Sequence, residues 1–286
     1  MGLIQPSGPS WAYCTHNLPA DIDVTALGAI CTPGTDDADG AAVALFASAL
    51  THDVEYLRLA ISATLPGASI NDILLTVLVD PAGGTSWDVL IPFLIVGALG
   101  DVSTSGATPA TPAGHYDFPV WIPAGATVGV RARTAHTVAQ SLKVAAFAHG
   151  GNRNPASWWC GQRVTAIGIT EAESTGTLHT ADASGSFSTW TNLGSALAAD
   201  CGALQFGVNG PQSGLYQAKN YQFEFGVASV RIGPPIFRAL TTSEAGWVLP
   251  TGPIFRQLPA GTQLQVRAAC NTTSPQGLGV AAYAVH

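Results

Sequence analysis

Charge is what this chain has least of. Asp, Glu, Lys and Arg make up 10% of its 286 residues, against about 25% in ordinary soluble domains. Lysine is almost missing, with Lys143 and Lys219 set against nine arginines. Ser, Thr, Gly, Pro and Ala take the place of charge. Subunit interfaces are depleted in Lys and enriched in Arg and aromatics. Such a surface suits a chain that spends much of it inside an assembly; a GC-rich genome, favouring Ala, Gly and Arg codons, produces the same bias. The formal net charge of −7 and the scattered arginines argue against a nucleic-acid binder, which usually carries a basic face.

Cysteine is scarce as well. Five residues, an odd number, make no disulfide framework, and the lack of a C-x-x-C pair argues against zinc. Cys14 and Cys160 follow Trp11 and Trp158-Trp159, which predicts a shared packing role. The longest apolar run, residues 89–99, is too short to span a bilayer and contains Pro92, so no membrane partner is expected. The first ten residues lack the basic start and apolar core of a secretory signal. Pro6 stands where a myristoylation signal needs Ser or Thr. Synthesis in the cytoplasm without a signal peptide is the expectation. Helical periodicity is also missing. Residues 41–50 are the best helix candidate, although Val43, Leu45 and Ala47 alternate, and residues 195–203 allow one or two helical turns.

Motifs that name a reaction are absent: no G-x-S-x-G, no H-E-x-x-H, no P-loop, no dinucleotide fingerprint. The run Asp36-Asp37-Ala38-Asp39-Gly40 fails the EF-hand spacing and reads as a solvated turn. Asp182 to Trp190 resembles an Asp-box only faintly, with the wrong Asp-to-Gly spacing. The seven histidines are scattered, with none at ligand spacing; His149 and His286 close the two halves. The expectation is no catalytic, cofactor-binding or metal-ligating residue and no enzyme. A carboxylate pair for glycoside hydrolysis converges in space rather than in sequence, so that alternative stays open.

What the chain does contain is a repeat. Val24-Thr25-Ala26-Leu27-Gly28 returns as Val164-Thr165-Ala166-Ile167-Gly168. The stretch Ile122-Pro123-Ala124-Gly125 through Ala132 returns as Leu258-Pro259-Ala260-Gly261 through Ala268, and Val144-Ala145-Ala146-Phe147 returns as Val280-Ala281-Ala282-Tyr283. Three matches in one order mean two copies of a domain: residues 1–149 and 158–286, joined by a short linker, 150–157. Strict alternation dominates. Val128, Val130 and Ala132, their counterparts Leu264, Val266 and Ala268, the run Tyr221, Phe223 and Phe225, and the closing sets Leu142, Val144, Ala146 and Leu278, Val280, Ala282 each form one face of a half-buried strand. Each Pro-Ala-Gly reads as a tight turn, with Pro presetting the first corner and Gly supplying positive φ. Trp87 is read as the counterpart of Trp247, which puts the longest insertion at residues 100–115, a Ser/Thr/Pro/Gly-rich loop. Trp11, Tyr13, Trp158 and Trp159 cluster at the starts of the two copies and are the candidate interface or ligand contacts, since exposed Trp and Tyr stack on sugars and anchor subunits.

The Trp-led start, the Val-Thr-Ala-x-Gly strand and the hairpin from Phe118 to Ala132, echoed by Ile254 to Ala268, resemble virion structural proteins of tailed bacteriophages. That resemblance implies a capsid decoration protein or a tail or neck accessory, in a symmetric homo-oligomer, with other virion proteins as partners and no cofactor. The fold class expected is all-β: two tandem antiparallel β-sandwiches, jelly-roll-like. A glycan- or host-receptor-binding module is the alternative.

Overall fold

A computed structural model describes residues 11–17, 28–35, 37–63, 72–97, 115–134, 141–151, 159–170, 176–182, 185–208, 219–240, 249–271 and 277–286. The first copy contains β1 (Tyr13–His16), β2 (Ala29–Cys31), β3 (Val43–Ala44), β4 (Val54–Ala63), β5 (Asp72–Asp80), β6 (Asp88–Gly97), β7 (His115–Phe118), β8 (Thr127–Thr134) and β9 (Leu142–Gly150). The second contains β10 (Val164–Ile167), β11 (Thr177–Thr180), β12 (Thr191–Asn192), β13 (Cys201–Val208), β14 (Lys219–Val227), β15 (Val230–Arg231), β16 (Ile236–Leu240), β17 (Leu249–Pro250), β18 (Ile254–Leu258), β19 (Leu264–Cys270) and β20 (Gly277–Val285). No helix occurs among the described residues. Residues 45–52 and 195–200 are bends and irregular chain, and 201–203 begin β13. The helical alternatives there are corrected: both segments are held by backbone bonds to the chain beside them, Leu45 N–H to Val128 O and Leu197 N–H to Thr262 O.

Each copy is a two-layer sandwich. One sheet runs β1-β9-β4-β7, with β2 also on β9; the other runs β3-β8-β5-β6. The second copy repeats this as β10-β20-β13-β17, with β11 on β20 and β18 on β13, and as β12-β19-β14-β15, with β16 on β14. Counted as eight strand positions per copy, the orders are 1-8-3-6 and 2-7-4-5 in both. This is jelly-roll connectivity, and the protein is two tandem jelly-roll-like sandwiches. The sheet holding the first and last positions is called the terminal sheet below, the other the middle sheet.

The alternating sets expected to face inward do so. Val128, Val130, Ala132, Leu142, Val144 and Ala146 lie in the first core; Tyr221, Phe223, Phe225, Leu264, Val266, Ala268, Leu278, Val280, Ala282 lie in the second. The Pro-Ala-Gly turns close with Ala126 N–H on Pro123 O and Thr262 N–H on Pro259 O, both 3.2 Å. Gly125 and Gly261 have φ of 86° and 81°, the third position of a type II turn. Proline therefore stands before the first corner, and Ala124 or Ala260 occupies it. That alanine's N–H is free of the turn's own bond, and a carboxylate takes it: Asp53 Oδ1 for Ala124 and Asp200 Oδ1 for Ala260, each at 2.7 Å.

The copies differ most where they meet. In the first, β9 buries every second residue; in the second, residues 278–285 of β20 are all buried. The inward residues fill the second core, while Ala281, Tyr283 and Val285, on the outer face, join the core of the first domain together with Val164 and Ala203. The outer face of the second terminal sheet thus seals the open edge of the first sandwich, between β6 and β7. Two tyrosines finish that edge. The Ile95 N–H donates to Tyr283 Oη at 2.7 Å, Tyr283 Oη donates to Phe93 O at 3.1 Å, and Tyr116 Oη donates to Ile95 O at 2.6 Å. Gln205, fully buried, accepts from Asp117 N–H at 3.1 Å and donates to Thr251 O at 2.6 Å. Past β7, Trp121 N–H meets Gly161 O and Gly161 N–H meets Pro119 O. Buried edge groups that would otherwise lack partners are satisfied across the domain boundary.

Candidate functional site

The outer face of the first terminal sheet collects the chemistry. Tyr56 and Arg58 point outward from β4, His149 from β9, Asp117 from β7. Trp11, just before β1, lays its ring 6.0 Å from Tyr56 and 6.0 Å from His149, and Tyr56 and His149 are 5.9 Å apart. The three rings make a platform. Beside it Arg58 grips Asp117 through two contacts, Nε to Oδ1 at 2.6 Å and Nη2 to Oδ2 at 3.2 Å, and His115 Nε2 lies 3.1 Å from Oδ2. The Asp117 side chain is 4% exposed, that of Arg58 44%.

These neighbours set the protonation states. Burial, then the hydrogen bond and charge of Asp117, push the Tyr56 hydroxyl far above its usual value, so it stays a phenol. The Asp117 hydrogen bond raises Arg58. Burial, then the nearby Arg58 charge, lowers His149, and Asp117 opposes them weakly. The His149 imidazole is thereby held toward its neutral form. Asp117 is held by Arg58, Tyr56 and His115 together. What the face offers is an aromatic and polar surface whose rings are tilted by 33°, 39° and 63° to one another, with apolar contact and one half-exposed guanidinium.

Of the four residues picked from sequence, the structure describes three, and each lies in a different setting. Trp11 joins the platform. Tyr13 packs against the first core, its ring 4.6 Å from His52. Trp158 lies outside the described residues. Trp159 lies flat on Gly202 of β13, where a Cβ would stand 2.5 Å from its ring, and walls an open cleft of about 600 Å³ with Asp200, Cys201 and Leu258. Cys14 and Cys160 are not counterparts. Cys14 pairs with His149, and the matching pair in the second copy is Val164 with Val285; the match of Gly28 with Gly168 is corrected as well, since Gly28 precedes β2 as Gly176 precedes β11, and residues 24–27 lie outside the described residues. Burial raises both thiols, with Glu55 adding to the rise at Cys160, which disfavours the reactive thiolate. The same register makes Val285 the counterpart of His149, because Tyr56 faces His149 as Ala203 faces Val285. The matched closing histidines are thereby corrected: His286 lies one place further and bonds Asp200 O and Thr165.

Other expectations also move. Asp37, Ala38 and Asp39 are exposed around a turn, and Asp39 in addition pairs with Arg131 at 3.1 Å and Arg133 at 2.6 Å. Trp87 precedes β6 and stacks over Gly129, whereas Trp247 lies between β16 and β17, so the two are not equivalent. Trp247 and the loop at residues 100–114 are outside the described residues. Sequence reasoning missed Glu224, 4% exposed on β14, which binds Arg267 at 2.6 Å and Arg231 at 3.0 Å while Arg267 stacks between Phe187 and Trp190. It also missed Asp53 and Asp200, for which a signal existed: each directly precedes the third strand position. Among the described residues no group of three or more His, Cys, Asp or Glu is placed to hold a metal.

No protein-family model and no curated protein sequence matches the chain. Among solved structures it is similar to PNGF-II, with 8% identity and a TM-score of 0.38 over 86% of this chain and 59% of that one. It is similar to the STIV MCP, with 11% identity and a TM-score of 0.35 over 90% and 96%. A structure of infectious bursal disease virus, Gx strain, aligns at 12% identity and a TM-score of 0.24 over 98% and 73%. The chain spans 59% of the length of PNGF-II in this alignment.

Proposed function

We propose that the protein is a non-enzymatic structural component of a virion that works through protein–protein interfaces. The finer reading is a tailed-phage capsid decoration protein or a tail or neck accessory, made in the host cytoplasm and carried in the particle. The observation that carries it is the use to which the acids are put. Asp39, Asp117 and Glu224 are locked to arginines, Asp53 and Asp200 cap the Pro-Ala-Gly turns, and Asp80 caps Ala82 and Ser86 N–H. A chain so poor in charge spends it on rigidity. Its domains are sealed together by buried tyrosines and Gln205, and its surface is lysine-poor, as assembled surfaces are. Mass spectrometry of purified particles should find the protein in many copies; its absence there overturns the reading.

The Trp11–Tyr56–His149 platform favours one second reading, a glycan-binding face, since rings at this spacing can take the apolar side of a sugar. Glycan-array binding lost on Trp11→Ala or Tyr56→Ala supports it. Binding that instead follows Trp159→Ala moves the site to the β13 cleft, and no binding removes it.

A further inference from the structure

The contact between the two domains is one-sided: the outer face of the second terminal sheet covers the open edge of the first sandwich. Because the domains are copies, the chain also owns a second such face, on the first domain, and a second such edge, on the second domain. We infer that this face of one molecule receives this edge of a second copy, head to tail. The inference rests on the proposed structural function and specifies its partner.

Register identifies the parts. Tyr283, which plugs the covered edge, lies opposite Gln205 on β13 and Ala166 on β10. Phe147 holds that place in the first copy, opposite Arg58 on β4 and His16 on β1. On the edge, Ile95 sits opposite Leu74, and Leu74 opposite Arg133. Phe237 sits opposite Gln222, and Gln222 opposite Ala269, which is the repeat partner of Arg133. Phe237 is therefore the counterpart of Ile95. Ile95 is fully buried, its N–H on Tyr283 Oη and its side chain beside Gly176 of the second domain, while Phe237 is 67% exposed. A position kept apolar in both copies, covered in one and open to water in the other, marks a surface with an absent cover.

The matching face is more polar than the one used internally. Arg58 replaces Gln205, His149 replaces Val285 and His16 replaces Ala166, while the central aromatic is kept as Phe147. A face sealed within one chain can be apolar throughout, whereas one that meets its partner after release must stay soluble first. The contact is heterologous, so it closes into a ring or runs on as a filament according to the rotation it imposes.

Sedimentation velocity on the full chain tests this. The wild type should assemble at roughly 100 μM, well above a micromolar dissociation constant. Phe237→Asp (edge disabled) and Phe147→Asp (face disabled) should each be monomeric with an unchanged circular dichroism spectrum. Mixed, they should form a one-to-one dimer and nothing larger, since one variant keeps its face and the other its edge. A monomeric wild type, an oligomer that survives either substitution, or a mixture that stays monomeric overturns the inference. Detection in purified particles alongside a monomeric wild type overturns the head-to-tail contact alone; assembly with absence from particles overturns the virion reading alone.

Discussion

Tyr283→Phe is the sharpest perturbation this fold offers. The ring, 0% exposed, keeps its edge-on contacts with Tyr116 and Phe118; only the hydroxyl goes. That oxygen is the acceptor for Ile95 N–H at 2.7 Å and the donor to Phe93 O at 3.1 Å. Both groups lie on the β6 edge, where no further strand replaces the lost partner. A buried group left without its hydrogen bond costs about 1–3 kcal/mol. The Phe93 carbonyl, with a second lone pair and a longer bond, adds less, so the variant should lose about 2–3 kcal/mol in all. Urea denaturation should show a lower midpoint at unchanged slope, in a single transition because the core of the first domain includes Ala281, Tyr283 and Val285 of the second. Amide exchange should quicken at Ile95 ahead of its neighbours. A loss below about 0.5 kcal/mol, the range of ordinary surface changes, with Ile95 protection unchanged, would refute the view that tyrosine hydroxyls seal the edge.

Three further outcomes follow from the same geometry. Gly261→Ala places a side chain at φ of 81° with nothing within 4 Å of its Cβ, so the loss of about 1–2 kcal/mol is purely conformational; thermal melts that show no change contradict the type II turn. Gly202→Val drives a side chain into the Trp159 ring and should cost about 1–3 kcal/mol with a red-shifted tryptophan emission, whereas unshifted emission means the ring is not seated there. His179, buried against the hydroxyls of Ser188 and Thr191, has its pKa lowered by burial. The unfolded chain then binds the extra proton first, so stability is full above about pH 6.5 and falls as pH drops below it. His179→Gln should flatten that slope, and an unchanged slope assigns the acid sensitivity elsewhere.

Much of the fold was legible because half-buried strands leave a period-two trace. The inward sets on β8, β9, β14, β19 and β20 followed from alternation alone, and glycine at Gly125 and Gly261 announced the turns. Correspondences at a distance were not. Trp87 and Trp247 share a residue type but lie in different connections, and His149 and His286 close their strands one position apart. A match of residue names carries no register; cross-strand pairing does. The ionic struts left no trace either, since Arg58 with Asp117 and Glu224 with Arg267 are far apart in sequence and meet only when β4 finds β7 and β14 finds β19.

The candidate face divides in the same way. Trp11 was visible as an aromatic near a domain start, yet Tyr56 and His149, which complete its platform, sit in strands whose outward residues look like any solvated face. Tyr13, two positions on, packs against the core because it pairs with Gly150 on the inward register of β9, whereas Trp11 precedes β1 and is not held to its alternation.

By itself, then, the sequence determined that this protein is built twice from alternating strands and Pro-Ala-Gly turns, because side-chain period and backbone φ are local properties. Which outer face would be buried was decided only by the tertiary structure. Tyr283 and Phe147 occupy the same place in the same strand, and one lies against an open edge while the other lies on the surface. Nothing local to either residue sets that difference; it comes from the relative placement of two whole domains.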